Sequence, residues 1–296
     1  MSVLSEIQEA VASVATRAST AVVHIDSGWR GASGVVVADG VVLTNAHNVM
    51  AEEVGLTFAD GRSVTGKVAG ADVDADLCVI TADTSGATAL EWAPDGTAVV
   101  GTPVFAAAAT SGDPRVTFGL VSSVSRAFRG PRGRRIRGSI EHTAPMASGS
   151  SGSALIDREG RLVGLNTHRT GDGFYLAIPA DAALHARVDA LARGETAARP
   201  HLGIGLAPAW AAHRMRRAVG LPDRDGLLVR DVEEGSPAAR AGIAVGDLIV
   251  SAAGAAIAGV DDLYDALGRV GAATGLDVGL VRGAEERTVR VEFGQA

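Results

Sequence analysis

The strongest chemical signal in the sequence is a serine in a glycine-flanked turn. Residues 149–155 read Gly-Ser-Ser-Gly-Ser-Ala-Leu, which places Ser151 on a tight turn before an apolar strand. Such a turn exposes the hydroxyl and can direct the backbone N–H groups of Gly149, Ser150 and Ser151 toward the oxyanion of an acyl transfer. Turns of glycine and serine are common, so this motif alone does not establish a nucleophile.

Two other segments carry the partners that a serine nucleophile needs. His47 comes just after an apolar strand-like run, and Asp76 comes just before another, Leu77-Cys78-Val79. A histidine can accept the hydroxyl proton, and a carboxylate can fix the tautomer of that histidine. The chain order His47, Asp76, Ser151 within one β-rich stretch therefore predicts a serine hydrolase site.

The identity of the acid stays open at this point. Asp72 and Asp74 precede Asp76 by even numbers of residues. In an extended strand, residues two apart lie on the same face, so all three carboxylates could face His47. Asp72 is the more typical of a turn.

The elements that must position these residues are mostly strands. Between residues 21 and 179, about twelve short β-rich runs alternate with glycine and aspartate turns, which is typical of a barrel or sandwich. An amphipathic helix is predicted before them over residues 4–18, and a second helix after them from Asp181 to Arg193.

The C-terminal part has a different texture. Residues 194–200 form a plausible linker, and residues 201–296 predict a small α+β module of four strands and two helices. Ser236 followed by Pro237 is typical of a helix start. The predicted organisation is thus a helical segment (1–20), a β-rich domain (21–193), the linker, and the α+β domain.

These motifs resemble the HtrA/Deg family of serine proteases, in which a chymotrypsin-like double six-stranded β-barrel precedes a PDZ domain. Five further segments also match the family: residues 116–122 (VTFGLVS), 162–167 (LVGLNT), 176–179 (LAIP), 235–243 (GSPAARAGI) and 245–249 (VGDLI). The resemblance implies a mainly β fold with a C-terminal α+β PDZ domain. It assigns His47 as the base, Asp76 as the acid and Ser151 as the nucleophile.

The chain departs from the family pattern around the nucleophile. The family usually reads G-N-S-G-G, whereas residues 149–153 read G-S-S-G-S. If the last glycine position requires a positive φ, Ser153 should be strained. The segment before the motif, usually T-D-A-A, contains Glu141-His142-Thr143-Ala144-Pro145. No aspartate directly precedes Ser151, so ordering of loops is the expected switch rather than a newly cut N-terminus.

The resemblance also implies substrate-binding residues in the protease domain. Met146 would lie near the primary specificity pocket, although it could equally serve local packing. Thr167, His168 and Arg169 would form a strand that pairs with the substrate backbone. His168 could contact the substrate or could merely be exposed.

In the PDZ domain, the resemblance implies a groove for peptide C-termini. Leu202, Gly203 and Ile204 would form the carboxylate-binding loop. Leu263 and Leu267 would line the groove from a helix, or would belong to the core.

A further segment, residues 126–137, contains six arginines in twelve positions. It could be a sensor loop that relays activation, a patch that binds an anion or nucleic acid, or a solvated mobile loop. Its glycines and proline favour mobility.

Composition excludes several classes of protein. The chain has 296 residues, 27 Lys and Arg against 34 Asp and Glu, and a net charge of −7, so a general nucleic-acid binder is not expected. One cysteine, Cys78, excludes a disulfide scaffold. No apolar run approaches the roughly 18 residues of a membrane helix. The histidines lack metal-ligand spacing, and no phosphate-binding glycine loop occurs, so neither a metal nor a cofactor is predicted.

The sequence therefore predicts an ATP-independent serine endopeptidase for unfolded or misfolded polypeptides, regulated by a PDZ domain. The alternative is an inactive protease-fold scaffold or chaperone. A homotrimer is weakly supported, because residues 1–28 contain none of the aromatic residues through which family members trimerise. The acidic N-terminus predicts a cytoplasmic location, or a periplasmic or extracytoplasmic one if a leader has been removed.

Overall fold

The computed structural model describes residues 3–26, 31–110, 113–131, 133–195, 200–207, 209–270 and 275–293. Its internal contacts divide the chain into two compact units, Met1–Ala197 and Ala198–Ala296. The first unit contains two closed β-barrels and the second contains one sheet with helices. The mainly β architecture predicted from the sequence is confirmed.

The first barrel closes in the strand order β1-β2-β3-β6-β5-β4. Its strands are β1 (Val22–Asp26), β2 (Ala32–Ala38), β3 (Val41–Thr44), β4 (Glu53–Thr57), β5 (Ser63–Asp72) and β6 (Leu77–Thr81). Alternating side chains fill its interior, and Ile25, Leu56 and Ile80 are fully buried there. A single 3₁₀ turn, Ala46–Asn48, follows β3 and carries His47.

The second barrel closes in the order β10-β11-β12-β9-β8-β7. Its strands are β7 (Pro103–Thr110), β8 (Asp113–Arg129), β9 (Arg135–His142), β10 (Ala154–Ile156), β11 (Leu162–Gly171) and β12 (Phe174–Pro179). The twelve strands of the two barrels correspond to the twelve β-rich runs of the sequence. The nucleophile turn lies between β9 and β10.

Two helices accompany the barrels. Helix α1 (Val3–Ser19) buries Val14 and Ala18 in the same core cluster as residues of both barrels. Helix α2 (Ala182–Ala192) begins at Asp181, whose side chain accepts a hydrogen bond from the Leu184 N–H at 2.9 Å. Both helices form where the apolar spacing and the cap predicted them.

The arginine-rich segment corrects one expectation. The sequence predicts a loop over residues 126–137, but β8 continues to Arg129 and β9 begins at Arg135. Phe128 and Ile136 lie opposite each other and pack against the core, so the strands continue almost to the turn. Arg132 lies outside the described residues.

The second unit contains a sheet of order β13-β14-β15-β17-β18, with β16 paired to β15. Its strands are β13 (Ile204–Leu206), β14 (Leu227–Val232), β15 (Leu248–Ala252), β16 (Ala255–Ala256), β17 (Gly275–Arg282) and β18 (Glu285–Glu292), and its helices are α3 (Ala209–Ala218), α4 (Pro237–Arg240) and α5 (Val260–Val270). The four predicted strands and two predicted helices all form. Helix α3 was not predicted, although its alanines, arginines and methionine are good helix formers.

Candidate active site

The structure brings His47 and Asp76 into direct contact. The Nδ1 atom of His47 lies 2.9 Å and 2.8 Å from the two carboxylate oxygens of Asp76, and the backbone N–H of His47 donates to Oδ1 at 3.1 Å. A proton on Nδ1 satisfies this contact and leaves Nε2 as the acceptor, which is the tautomer that a general base requires. The His47 side chain is 38% exposed, so part of the imidazole can be reached from solvent.

Asp76 adopts an unusual backbone conformation. Its φ is 57°, a left-handed value that is uncommon outside glycine, and the residue is 1% exposed. Its backbone oxygen accepts a hydrogen bond from the Asn45 side chain at 3.1 Å. Such conformations persist where neighbouring contacts hold them, and they concentrate at functional sites.

The other two aspartates serve the turn that presents Asp76. The Asp72 carboxylate accepts the N–H of Ala75 at 3.1 Å and pairs with Arg187 at 3.5 Å. Asp74 lies 3.9 Å from Arg134. Among the three aspartates, Asp76 is the one whose carboxylate accepts hydrogen bonds from His47.

Thr167 connects the acid to the predicted nucleophile. Its hydroxyl donates to Oδ2 of Asp76 at 2.8 Å, and its carbonyl accepts the hydroxyl of Ser151 at 3.0 Å. The family resemblance implies that Thr167 pairs with substrate, and these two contacts are an additional role that local sequence does not indicate. Thr167 is 5% exposed, which suits an internal link better than a side-chain contact with substrate.

The nucleophile turn is fastened to the first barrel. The carbonyl of Ser151 accepts hydrogen bonds from the Ser33 N–H at 3.0 Å and from the Asn48 side chain at 2.9 Å. Gly152 has a φ of 83°, and a Cβ there would lie 2.2 Å from both the Ser33 carbonyl and the Thr44 hydroxyl. Sequence reasoning missed these roles of Ser33, Thr44 and Asn48. The signal that could have indicated them is a polar residue within or next to an apolar run of the sequence.

The three backbone N–H groups predicted to form an oxyanion hole differ in the contacts that they make. Within the described chain, neither the N–H of Gly149 nor that of Ser151 has an acceptor. The N–H of Ser150 donates to the Ala147 carbonyl at 3.3 Å. Two of the three predicted donors are thus available for an oxyanion.

Ser153 does not carry the strain that the sequence suggested. The described non-glycine residues with positive φ are Asp76, Asp172 and Ala253. A serine is therefore tolerated without backbone cost where the family has a glycine. Its side chain is fully buried and accepts a hydrogen bond from Asn166 at 3.0 Å.

The predicted substrate-binding side chains lie around this turn and along β11. Met146 is half-buried and lines a small recess that Ser150 and Ser153 also line. His168 is exposed and stacks on Phe128 at a centroid distance of 6.0 Å. The Arg169 guanidinium lies 5.8 Å from the centre of the Tyr175 ring. Contact of these residues with substrate stays a prediction.

In the second unit, the predicted PDZ residues divide between the core and its edge. Leu202 and Leu263 are 3% and 4% exposed and belong to the core cluster. Ile204 and Leu267 are partly buried against it. Gly203 has a φ of 73°, and a Cβ there would lie 2.3 Å from a serine side chain, so the loop requires glycine. Peptide binding by this loop and helix remains a prediction.

The described residues give little support to a cysteine nucleophile, a metal site or a membrane-spanning helix. Cys78 is 1% exposed, and burial raises the pKa of its thiol to about 12, which leaves little thiolate at neutral pH. No group of three His, Cys, Asp or Glu side chains in the described residues could hold a metal ion. Among these same residues, no helix is long and apolar enough to cross a membrane.

Comparison with known proteins identifies the two domains of the chain. Residues 32–165 match the trypsin-like peptidase domain, and residues 200–293 match the PDZ domain. The chain is 34% identical over 289 residues to the serine protease HhoA of Synechocystis. The aligned region covers 90% of this chain and 71% of that protein. The chain belongs to the HtrA/Deg family of serine proteases. The family predicted from the motifs is confirmed.

Other HtrA/Deg relatives are longer than this chain. It is 28% identical over 271 residues to a periplasmic DegP-like serine endoprotease of Halomonas elongata, covering 89% of this chain but 56% of that protein. The chain thus spans little more than half of some curated relatives that it matches. Relatives named as periplasmic do not support the cytoplasmic location expected from the N-terminus.

Solved structures of this family share the fold. The HtrA-type protease AlgW with a decapeptide has a TM-score of 0.73 at 22% identity, covering 96% of this chain and 98% of that one. The serine endoprotease from Yersinia pestis has a TM-score of 0.70 at 26% identity, covering 95% and 96% of the two chains. The predicted fold class is therefore confirmed.

Proposed function

We propose that this HtrA/Deg chain is a serine endopeptidase that cleaves unfolded or misfolded polypeptides without ATP, through His47, Asp76 and Ser151. The proposal is supported by a connected set of contacts that joins the three residues. The Asp76 carboxylate holds Nδ1 of His47, and Thr167 links the same carboxylate to the hydroxyl of Ser151.

The reaction begins when the Ser151 hydroxyl turns from the Thr167 carbonyl toward Nε2 of His47. Its oxygen attacks the scissile carbonyl while its proton passes to Nε2, and Asp76 stabilises the resulting imidazolium. The backbone N–H groups of Gly149 and Ser151 receive the oxyanion. Nε2 then protonates the leaving amine, which leaves an acyl-enzyme.

Water completes the cycle. His47 takes a proton from the water, whose oxygen attacks the acyl carbonyl, and the hydroxyl of Ser151 is restored as the new carboxyl terminus departs. Every step is a proton transfer or an acyl transfer, so none of them requires nucleotide hydrolysis.

The preference for unfolded substrate follows from strand addition. Residues 168–170 of β11 are exposed and can pair with an extended backbone, which a folded protein rarely offers. The loop formed by Leu202, Gly203 and Ile204 would bind peptide C-termini and regulate cleavage. Because relatives are named periplasmic, we place the protein outside the cytoplasm.

The test compares the full chain with Ser151→Ala on casein and with a fluorophosphonate probe. We expect the parent to cleave casein without ATP and to react with the probe, and the variant to do neither. A parent that is folded but inactive in both assays, with or without a PDZ-binding peptide, would support the scaffold alternative.

A further inference from the structure

Three buried polar side chains lie in a file behind the nucleophile turn: His142, Asn166 and Ser153. Each of them is 0% exposed. Polar groups at this depth cost free energy unless they are hydrogen-bonded. Their partners therefore indicate what the file does.

The Asn166 amide fixes the direction of the hydrogen bonds in the file. Its Nδ2 donates to the Ser153 hydroxyl and to the Ala154 carbonyl, both at 3.0 Å. Its Oδ1 must then accept, and the atom 2.9 Å away is Nε2 of His142. His142 is therefore the neutral Nε2–H tautomer. Burial lowers the pKa of His142 to about 4, which keeps the ring neutral at pH 7.

The other ring nitrogen of His142 makes no competing hydrogen bond. Nδ1 of His142 is buried and has no hydrogen-bond partner within the described residues. The hydrogen bond from Nε2 to Asn166 is thus the polar contact that the imidazole makes. The ring also stacks on Tyr175 at a centroid distance of 5.8 Å, which holds its plane.

Asn166 also holds the backbone of the two residues that directly follow the nucleophile. Its carbonyl accepts the Gly152 N–H at 2.8 Å, and its own N–H donates to the Ser153 carbonyl at 2.9 Å. The next residue, Thr167, accepts the hydroxyl of Ser151 at 3.0 Å. A shift of Asn166 would therefore move both the turn and the acceptor that orients the nucleophile.

The two ends of the file coincide with the departures from the family pattern. Ser153 stands where the pattern has its last glycine, and His142 lies in the segment that usually reads T-D-A-A. A glycine offers no side-chain acceptor to Asn166. The two departures thus meet at one amide: Ser153 accepts a hydrogen bond from its nitrogen, and His142 donates one to its oxygen.

We propose that His142 and Ser153 are positioning residues that act through Asn166 on Ser151, and that the Nε2–H donor of His142 is the feature the site requires. The inference rests on the proposed function, because positioning a nucleophile matters only if it reacts. A small misplacement of reacting groups slows the chemical step more than it weakens substrate binding. The effect should therefore fall on kcat and on the rate of fluorophosphonate labelling, and not on KM.

The experiment compares two substitutions of His142 in the full chain. His142→Phe keeps a similar ring without a donor, and His142→Gln keeps a donor. Ser139→Ala is the control, because Ser139 is also buried in β9 and its hydroxyl has no hydrogen-bond partner within the described residues. Melting temperature and labelling stoichiometry establish how much of each protein is folded.

We expect His142→Phe to lower kcat and the labelling rate by about 10- to 100-fold, with KM within about twofold of the parent. His142→Gln should recover most of the loss, and Ser139→Ala should match the parent. Parental kcat in His142→Phe, or equal losses in both His142 variants, would overturn the proposal. If His142→Phe does not fold, Ser153→Gly takes its place, and an unchanged kcat in that variant counts against the proposal.

A second measurement separates this inference from the proposed function. The ¹⁵N shifts of the His142 ring, recorded on the Ser151→Ala protein, should show the neutral Nε2–H tautomer at pH 7. An imidazolium or an Nδ1–H tautomer would overturn the inference even if the parent is an active protease. A parent that fails to cleave and label overturns the proposed function instead.

Discussion

The hydroxyl of Thr167 lies 2.8 Å from Oδ2 of Asp76, and both residues are almost completely buried. The same carboxylate bonds to Nδ1 of His47. The acid is therefore oriented from both barrels, since β11 belongs to the second barrel and the turn that carries His47 follows a strand of the first. Relative placement of the two barrels thus bears directly on the geometry of the base.

Thr167→Val should impair catalysis because it removes this hydrogen bond while preserving the shape of the side chain. A buried carboxylate oxygen that loses a donor costs about 1–3 kcal/mol. We expect kcat for casein-derived peptides to fall about tenfold or more, with KM nearly unchanged.

The matched control is Thr84→Val. The hydroxyl of Thr84 is also buried and donates to a carboxylate, Asp39, at 3.3 Å, but it lies outside the catalytic residues. This variant should lose stability without losing kcat. Equal kcat values for the two valine variants would show that the Thr167 hydroxyl does not serve the site.

Gly152→Ala should disable the nucleophile turn for two reasons. The residue has a φ of 83°, and the added Cβ would lie 2.2 Å from both the Ser33 carbonyl and the Thr44 hydroxyl. Backbone must shift to relieve this overlap, and Ser151 is the adjacent residue. We expect loss of at least 90% of labelling by fluorophosphonate, on the order of tenfold or more for a displaced nucleophile.

Gly86→Ala separates the backbone cost from the overlap. Gly86 has nearly the same φ, 81°, but nothing lies within 4 Å of a Cβ there. It should lose only the roughly 1 kcal/mol of a left-handed alanine and should label at the parental rate. If Gly152→Ala labels equally well, the turn does not depend on this close approach.

The strands and the three candidate catalytic residues could be predicted from local sequence. Apolar alternation ended by glycine and aspartate fixes where a strand begins and ends, and the types and order of His47, Asp76 and Ser151 match one kind of chemistry. The choice of Asp76 over Asp72 required the family resemblance. Its left-handed φ of 57° depends on contacts with distant residues.

The supporting contacts could not be predicted because they join residues far apart in sequence. Asn48 bonds to Ser151 across 103 positions and Thr167 to Asp76 across 91. The length of the arginine-rich hairpin has a similar cause, since Phe128 and Ile136 keep the strands paired by packing on a core that the sequence does not reveal. Polar composition alone suggested a loop.

The stability of the protease unit should depend on pH through His142. Burial lowers the pKa of this histidine to about 4 in the folded chain, whereas an unfolded histidine has a pKa of about 6.5. The unfolded state therefore binds more protons between these values. Keeping His142 neutral therefore adds to the free energy of unfolding. This stabilisation is complete above about pH 6.5 and is lost as pH falls toward 4, with a total of about 3 kcal/mol.

Urea unfolding of the Ser151→Ala protein at pH 7 and pH 5 checks this prediction. The parental loss of stability between these pH values should shrink in a His142→Gln background. His185→Gln, which removes an exposed imidazole stacked on Trp92, should keep the parental loss. An unchanged slope in His142→Gln would mean that other groups cause the pH dependence.

The second unit should lose stability below about pH 4 through Asp247. Burial alone would raise the pKa of this carboxyl, but hydrogen bonds from Arg282 and the Ala244 N–H, together with the Arg282 charge, outweigh burial and lower it. The Arg282 guanidinium lies 2.6 Å and 2.7 Å from the two carboxylate oxygens. A lowered folded pKa means that stability is complete above the unfolded value and is lost as pH falls through the folded one.

Amide hydrogen exchange of β15 in the full chain, corrected for the intrinsic rate at each pH, measures this effect. Asp247→Asn should exchange faster at pH 6 and should show little further change down to pH 3, because the titrating group is gone. Asp277→Asn is the matched control. Its pairing with Arg290 at 3.0 Å joins side chains that are 56% and 55% exposed, and such surface pairs contribute little. Faster exchange in Asp277→Asn than in Asp247→Asn would assign the stability to surface charge rather than to the pair of Asp247 and Arg282.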